Sequence, residues 1–125
     1  MDQRTKTILI ADDDLALVQA LAIRFKNAGF NVVCGSDSYH ALQQAMTARP
    51  DLIILDINMP CGDGFTVQQR LQQAAHVAAP VIYLTGDKSE RVVQISKQLG
   101  AYALLYKPFE IQQLLSTVHQ ALKAA

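Results

Sequence analysis

The sequence predicts an α/β domain: a single doubly wound, five-stranded parallel sheet with helices on both faces. Two observations lead there. Five short apolar runs alternate strictly with five amphipathic stretches, the order expected of strand–helix units laid side by side in a parallel sheet. The runs are also wholly apolar rather than alternating, as strands covered on both faces must be. Right-handed crossovers then favour the doubly wound arrangement over other topologies.

Each element has its own local reason. Thr7–Ala11 is the first apolar run, and Leu15, Val18, Leu21, Ala22 and Phe25 then recur at helical spacing until Asn27-Ala28-Gly29 closes the helix. Asn31–Gly35 reads as the second strand and the Ala/Gln-rich stretch Tyr39–Ala48 as the second helix. Pro50-Asp51 makes a turn into Leu52–Leu55, which is too apolar for a surface strand. The Pro/Gly-bearing segment from Met59 through Pro60, Cys61 and Gly62 to Gly64 is a loop, and Phe65–Ala75 is helical. Pro80–Leu84 is the fourth strand, Ser89–Leu99 a helix ended by Gly100, and Tyr102–Tyr106 the fifth strand. Pro108 stops that strand, and Ile111, Leu114, Leu115, Val118 and Leu122 form the inner face of the last helix. The domain is expected to occupy 1–125, with its core over about 7–123.

Composition bounds the class. Half of the 125 residues are hydrophobic and 18% charged, as in a folded soluble chain rather than a disordered one. Lysine plus arginine equals aspartate plus glutamate, 11 each, and no basic run occurs, so no direct nucleic-acid footprint is expected. The segment MDQRTKT lacks the apolar core of a signal peptide, and no apolar run is long enough to span a bilayer, so no membrane contact is expected. Cys34 and Cys61 have no metal or redox spacing, which makes free thiols in a reducing cytoplasmic setting the expectation.

In an open parallel sheet, ligands bind outside the carboxyl ends of the strands, where strand order reverses. The residues just past each apolar run are therefore the ones to examine. Asp12 and Asp13 follow the first strand and Asp56 the third; Thr85 and Gly86 follow the fourth, and Lys107 the fifth. Each has an ordinary reading. Asp14, ahead of Leu15, is best explained as a helix N-cap; Asp56 alone could be a loop residue, Thr85 a cap and Lys107 a solvated amine. Three carboxylates, a hydroxyl and an ammonium converging on one rim are harder to dismiss together. Crowded carboxylates repel, and a divalent cation removes the conflict. Mg²⁺ suits an all-oxygen site with one or two carboxylates and a phosphate oxygen. His40, His76 and His119 fall on or beside helices, with a surface reading for each. An aspartate beside such an ion can accept a phosphoryl group, with Lys107 and Thr85 binding its oxygens. No GxxxxGK[ST] or GxGxxG loop is present to cradle a nucleotide, so the donor must be small or carried by another protein.

The motifs "ILIADDD", "LIILDINMPCGDG", "VIYLTGD" and "LLYKPF", in that order and phase, resemble the receiver domain of two-component response regulators, the fold of the chemotaxis response regulator. The resemblance spans the chain from about Thr7 to the final helix. It implies a flavodoxin-like sheet order 2-1-3-4-5, a phosphoacceptor at Asp56, and a Mg²⁺ site made by Asp13, Asp56 and the main-chain carbonyl of Asn58. Asp12 would hold a metal-bound water, Thr85 would be the switch hydroxyl and Lys107 the phosphate-binding lysine, in a cis peptide with Pro108. Phosphate would come from a histidine kinase or phosphotransfer protein. The resulting switch would reshape the face of the fourth helix, fifth strand and fifth helix for an output domain or effector protein, or for a phosphorylation-dependent dimer. Such a chain is a signalling phosphoacceptor, not an enzyme acting on an external substrate. Asn58 and Asp87 occupy positions that tune phosphoryl lifetime in the family.

Two positions depart from the family pattern. Leu104 stands where a tyrosine or phenylalanine is usual, with Tyr102 and Tyr106 two residues to either side. Ala101-Tyr102-Ala103 replaces residues that are often acidic and pair across a dimer. Other classes make different demands. An aspartyl phosphatase needs a second acid, which Asp56-Ile57-Asn58 lacks; a flavodoxin needs a phosphate loop where "ADDDLA" would repel one. A receiver that binds partners without phosphorylation would not need all of Asp12, Asp13, Asp56, Thr85 and Lys107.

Overall fold

A computed structural model describes residues 4–59, 62–74 and 78–124. Strands β1 (Thr7–Ala11), β2 (Asn31–Gly35), β3 (Leu52–Asp56), β4 (Val81–Thr85) and β5 (Ala103–Tyr106) alternate with helices α1 (Leu15–Asn27), α2 (Ser38–Ala48), α3 (Gly64–Gln72), α4 (Glu90–Gln98) and α5 (Ile111–Ala124). All neighbouring strands pair in parallel, in the order β2-β1-β3-β4-β5. The chain enters at β1, steps outward to β2 and then returns past β1 to β3. The reversal therefore lies between β1 and β3, and the rim above those two strands is where a ligand belongs.

Strand alternation sorts the core into two halves. Ile8 and Ile10 of β1, Leu52 and Ile54 of β3, Ile82 and Leu84 of β4, and Leu105 pack with Val18, Leu21 and Phe25 of α1 and Leu114, Val118 and Ala121 of α5. The intervening residues Leu9, Ala11, Ile53, Leu55, Val81 and Tyr83 pack instead with Ala41 and Ala45 of α2, Phe65, Val67 and Leu71 of α3, and Val92 of α4. Every residue of β3 and β4 is buried. At about 1.5–3 kcal/mol for each fully buried aliphatic side chain, these central strands carry much of the folding free energy, and rigid ground beneath the rim follows from that.

Element boundaries fall within a residue or two of those expected from sequence except at the end of α3, with instructive differences. Asp56 and Thr85 are the last residues of their strands rather than the first of the loops, because their backbones still pair: Asp56 lies opposite Leu84, and Thr85 opposite Tyr106. Tyr102 precedes β5 instead of opening it and is exposed, as is Tyr106, whose ring faces the Lys88 ammonium at 5.9 Å. α3 ends at Gln72, with Gln73 as its C-cap. The helix expected to run on to Ala75 therefore stops early, since Gln73 and Ala74 form a turn and bend; Ala75 itself lies outside the described residues, as do Pro60, Cys61 and His76. Cys34 is a free, exposed thiol. Among the described residues, no helix is long and apolar enough to cross a membrane.

Candidate functional site

Two rim residues, and the residue after Asp56, are held by extending the β-ladders one step past the strands. The Asp12 N–H donates to Gly35 O (3.2 Å), the Ile57 N–H to Leu84 O (3.1 Å) and the Lys107 N–H to Thr85 O (2.8 Å). Backbones anchored in the sheet leave little freedom at the Cα atoms, so the side chains start from fixed positions. The loop after Asp56 is pinned as well: the Asn58 N–H donates to Asp56 Oδ1 (3.2 Å) and the Gly64 N–H to Ile57 O (2.9 Å). A side chain at residue 64 would have no room, since a Cβ there would sit 2.6 Å from Asp56 O. Glycine is what lets the start of α3 press against the end of β3.

The three consecutive aspartates do different things. Asp12 is fully buried, takes a bond from the Asp14 N–H on Oδ1 (2.9 Å) and one from Lys107 Nζ on Oδ2 (2.8 Å). Asp13 is exposed. Asp14 is the N-cap of α1, accepting from the Leu17 N–H (3.2 Å), as its position before Leu15 predicted. One carboxylate oxygen each from Asp12, Asp13 and Asp56 lies within 4.8 Å of the others. Lys107 Nζ also approaches Asp56 Oδ2 at 3.6 Å. Thr85 is fully buried at the end of β4, where its Oγ1 accepts from the Asp87 N–H (2.9 Å) and keeps its own proton to donate. Lys107 and Pro108 are joined by a cis peptide bond.

One ammonium faces three carboxylates, and the electrostatics reflect the imbalance. Burial, and then the neighbouring Asp12 charge, push the Asp56 carboxyl up to about 6, against the opposing pull of Lys107 and the Asn58 N–H. Burial works against the Lys107 ammonium, but its bond to Asp12 and the charges of Asp56, Asp12 and Asp13 outweigh that and raise its pKa. The donor set is all oxygen, open to solvent through Asp13, and includes neither thiol nor imidazole. That chemistry fits a hard divalent cation such as Mg²⁺ and not a thiophilic one. The two described histidines lie elsewhere: His40 Nδ1 pairs with Asp37 at 2.9 Å, and the His119 ring packs on Phe30 with centroids 5.7 Å apart.

The structure thus brings together Asp12, Asp13, Asp56 and Lys107, and stands Thr85 and Asn58 on the adjoining strand end and loop. Sequence reading missed a second buried polar group, formed by Gln68 of α3 and Tyr83 of β4, which are 5% and 0% exposed. The Tyr83 O–H donates to Gln68 Oε1. A lone phenol inside the otherwise aliphatic run "VIYLT" is the signal that could have found it, since a buried Tyr hydroxyl needs a partner.

Comparison with known proteins places the fold and the family. The family profile described as the response regulator receiver domain matches residues 8–119. The chain is 33% identical over 118 residues to the alkaline phosphatase synthesis transcriptional regulatory protein PhoP of Bacillus subtilis, covering 94% of this chain and 49% of PhoP. It is 36% identical over 119 residues to the DNA-binding dual master transcriptional regulator RpaA of Synechocystis, covering 93% of this chain and 48% of RpaA. The chain therefore spans about half the length of these relatives. Among solved structures, the chemotaxis protein CheY4 of Vibrio cholerae superposes with a TM-score of 0.88 at 31% identity, covering 94% of this chain and 99% of that one. The receiver domain of Francisella response regulator 1452 gives 0.88 at 28% identity, covering 96% and 98%.

Proposed function

Because the chain belongs to the response regulator receiver domain family, whose members are signalling phosphoacceptors, we propose that Asp56 is its phosphoacceptor and that residues 1–125 act as one receiver domain. The observation that carries this is the convergence of Asp12, Asp13 and Asp56 oxygens within 4.8 Å, with Lys107 Nζ reaching both Asp12 and Asp56. In the transfer, an Asp56 carboxylate oxygen attacks phosphorus while the bond from phosphorus to the donor atom breaks, leaving an acyl phosphate. Asp56 suits the role because its backbone is fixed in β3 and its carboxylate is poorly solvated. Lys107 moves from Asp12 toward the incoming phosphoryl oxygens, and the Thr85 hydroxyl donates to another.

Asp13, Asp56 and the Asn58 carbonyl would hold Mg²⁺, and Asp12 would position a water on it; when bound, the ion supplies charge neutralisation for the carboxylates and the phosphoryl oxygens. Phosphorylation adds roughly two negative charges at the rim, and the face of α4, β5 and α5 changes to suit a partner. The donor is a histidine kinase or phosphotransfer protein, and the recipient of the signal is an output domain or effector protein, or a second phosphorylated copy. With 11 Lys+Arg against 11 Asp+Glu and no basic run, we assign these residues no direct nucleic-acid contact. The cytoplasm, where such donors act, is the proposed location.

Incubation with acetyl phosphate and Mg²⁺, followed by intact mass, tests the reading. One phosphoryl group is expected, lost in Asp56→Asn and when Mg²⁺ is chelated. An unchanged mass, together with failure to bind beryllofluoride, would instead indicate a receiver that works without phosphorylation.

A further inference from the structure

The two ends of α4 are held very differently. Its N-terminal end is reached from Thr85 through residues 86–89, and residues 86–91 are all exposed. The N-cap, Ser89, makes no side-chain capping bond, and the first helical bond, from the Val93 N–H to Ser89 O, is long at 3.5 Å. At the other end the C-cap carbonyl, Leu99 O, receives two side-chain donors from α3: Gln68 Nε2 at 2.8 Å and Gln72 Nε2 at 2.6 Å. Carbonyls at a helix C-terminus lack helical partners, and here a neighbouring helix supplies them. Gly100, at φ +77°, then turns the chain away toward β5.

Gln68 does not act alone. Its carboxamide oxygen accepts from the buried Tyr83 hydroxyl while its amide donates to α4, so both halves of the group are used. Burial raises the Tyr83 pKa, which keeps the phenol protonated and a donor. The Tyr83 ring meets Phe65 edge to face, with centroids 5.1 Å apart, on the turn of α3 that presses against Asp56. Tyr83 also shares its strand face with Thr85, two residues on. On β5, the residue opposite Tyr83 is the aliphatic Leu104.

We propose that Tyr83 and Gln68, with Gln72, form a latch that fastens the C-terminal end of α4 to α3, so that within α4 the rearrangement begun at the Asp56 rim is confined to the N-terminal half. The trigger rests on the phosphoacceptor reading; the latch does not. In this chain α4 swings about a fixed C-terminal end, and the part of the switched face that α4 and its approach contribute is residues 86–93.

Backbone hydrogen exchange of the full 125-residue protein, with and without beryllofluoride and Mg²⁺, tests this. The amides to follow are Leu99, Gly100 and Ala101, bonded to Ile95 O, Lys97 O and Ser96 O. In the parent they should keep the same protection in both states, while amides 90–93 change. The double variant Tyr83→Phe/Gln68→Leu removes both polar partners without leaving one orphaned. In it those three amides should exchange about tenfold faster in both states, with phosphoryl uptake at Asp56 retained. Should the double variant fail to fold, Gln72→Leu alone should raise exchange at the same three amides to a smaller degree. Exchange at 99–101 within about twofold of the parent in these variants, or a response there to beryllofluoride as large as at 90–93, would overturn the proposal. If acetyl phosphate adds no mass and beryllofluoride does not bind, the phosphoacceptor reading fails, while the unliganded comparison still decides the latch.

Discussion

Asp56 sits at an electrostatic disadvantage that makes sense only if its charge is put to use. It is 4% exposed, beside another carboxylate, and its pKa is pushed up to about 6 from an ordinary 3.8. In chelator at pH 7, Asp56→Asn should therefore stabilise the protein by about 1–3 kcal/mol in urea unfolding, even as it abolishes phosphorylation. Asp51 shows the opposite sign. Burial opposes its ionisation, but the Arg4 guanidinium at 2.6 Å and the Thr7 N–H at 2.8 Å outweigh that, and its pKa is lowered. Its contribution is present above the ordinary value and is lost as pH falls through the lower folded one. Asp51→Asn should cost about 1–2 kcal/mol at neutral pH, the gap to the parent closing below about pH 4. At this scale the rim residues were legible because each directly follows an apolar run, where a charge has no packing role. The Tyr83–Gln68 pair was not, because it joins residues 15 apart and reaches a carbonyl a further 31 residues from Gln68, separations that no local pattern reports.

Of the aspartates that open helices, the sequence reading picked out Asp14 but not Asp37 or Asp63, and it began α2 and α3 one residue late. Asp14, Asp37 and Asp63 cap α1, α2 and α3 by accepting from the backbone N–H three residues on. Asp14→Ala should cost about 1 kcal/mol in urea unfolding and leave the phosphoacceptor chemistry in place, which separates it from Asp12 and Asp13. Strand ends were read one residue short at Asp56 and at Thr85, because a polar side chain ends the apolar run while the backbone ladder continues. Gly64 joins element to site. A methyl there would meet Asp56 O at 2.6 Å, so Gly64→Ala should destabilise by about 1–3 kcal/mol. It should also slow phosphorylation, whereas the same loss of stability from Asp14→Ala should not.

Across the whole molecule, topology makes the site. A chain that starts at β1, steps to β2 and returns to β3 leaves the ends of β1 and β3 side by side at the reversal. Residues separated by most of the sequence then meet: Asp12 and Lys107 are 95 positions apart and 2.8 Å from contact to contact. The alternation of apolar runs and amphipathic stretches made the sheet legible, while the Lys107–Asp12 bond was not, since sequence reading sent that lysine to a phosphate. In the unphosphorylated molecule the ammonium rests on Asp12, which gives the switch a defined starting position. On the proposed reading, this rim puts a phosphoryl group on one particular carboxylate. Borohydride reduction of the acetyl phosphate-treated protein, which converts an aspartyl phosphate to homoserine, followed by peptide sequencing, tests it most directly. Homoserine is expected at position 56 alone and only with Mg²⁺; homoserine at 12 or 13, or at none of the three, would overturn the phosphoacceptor assignment.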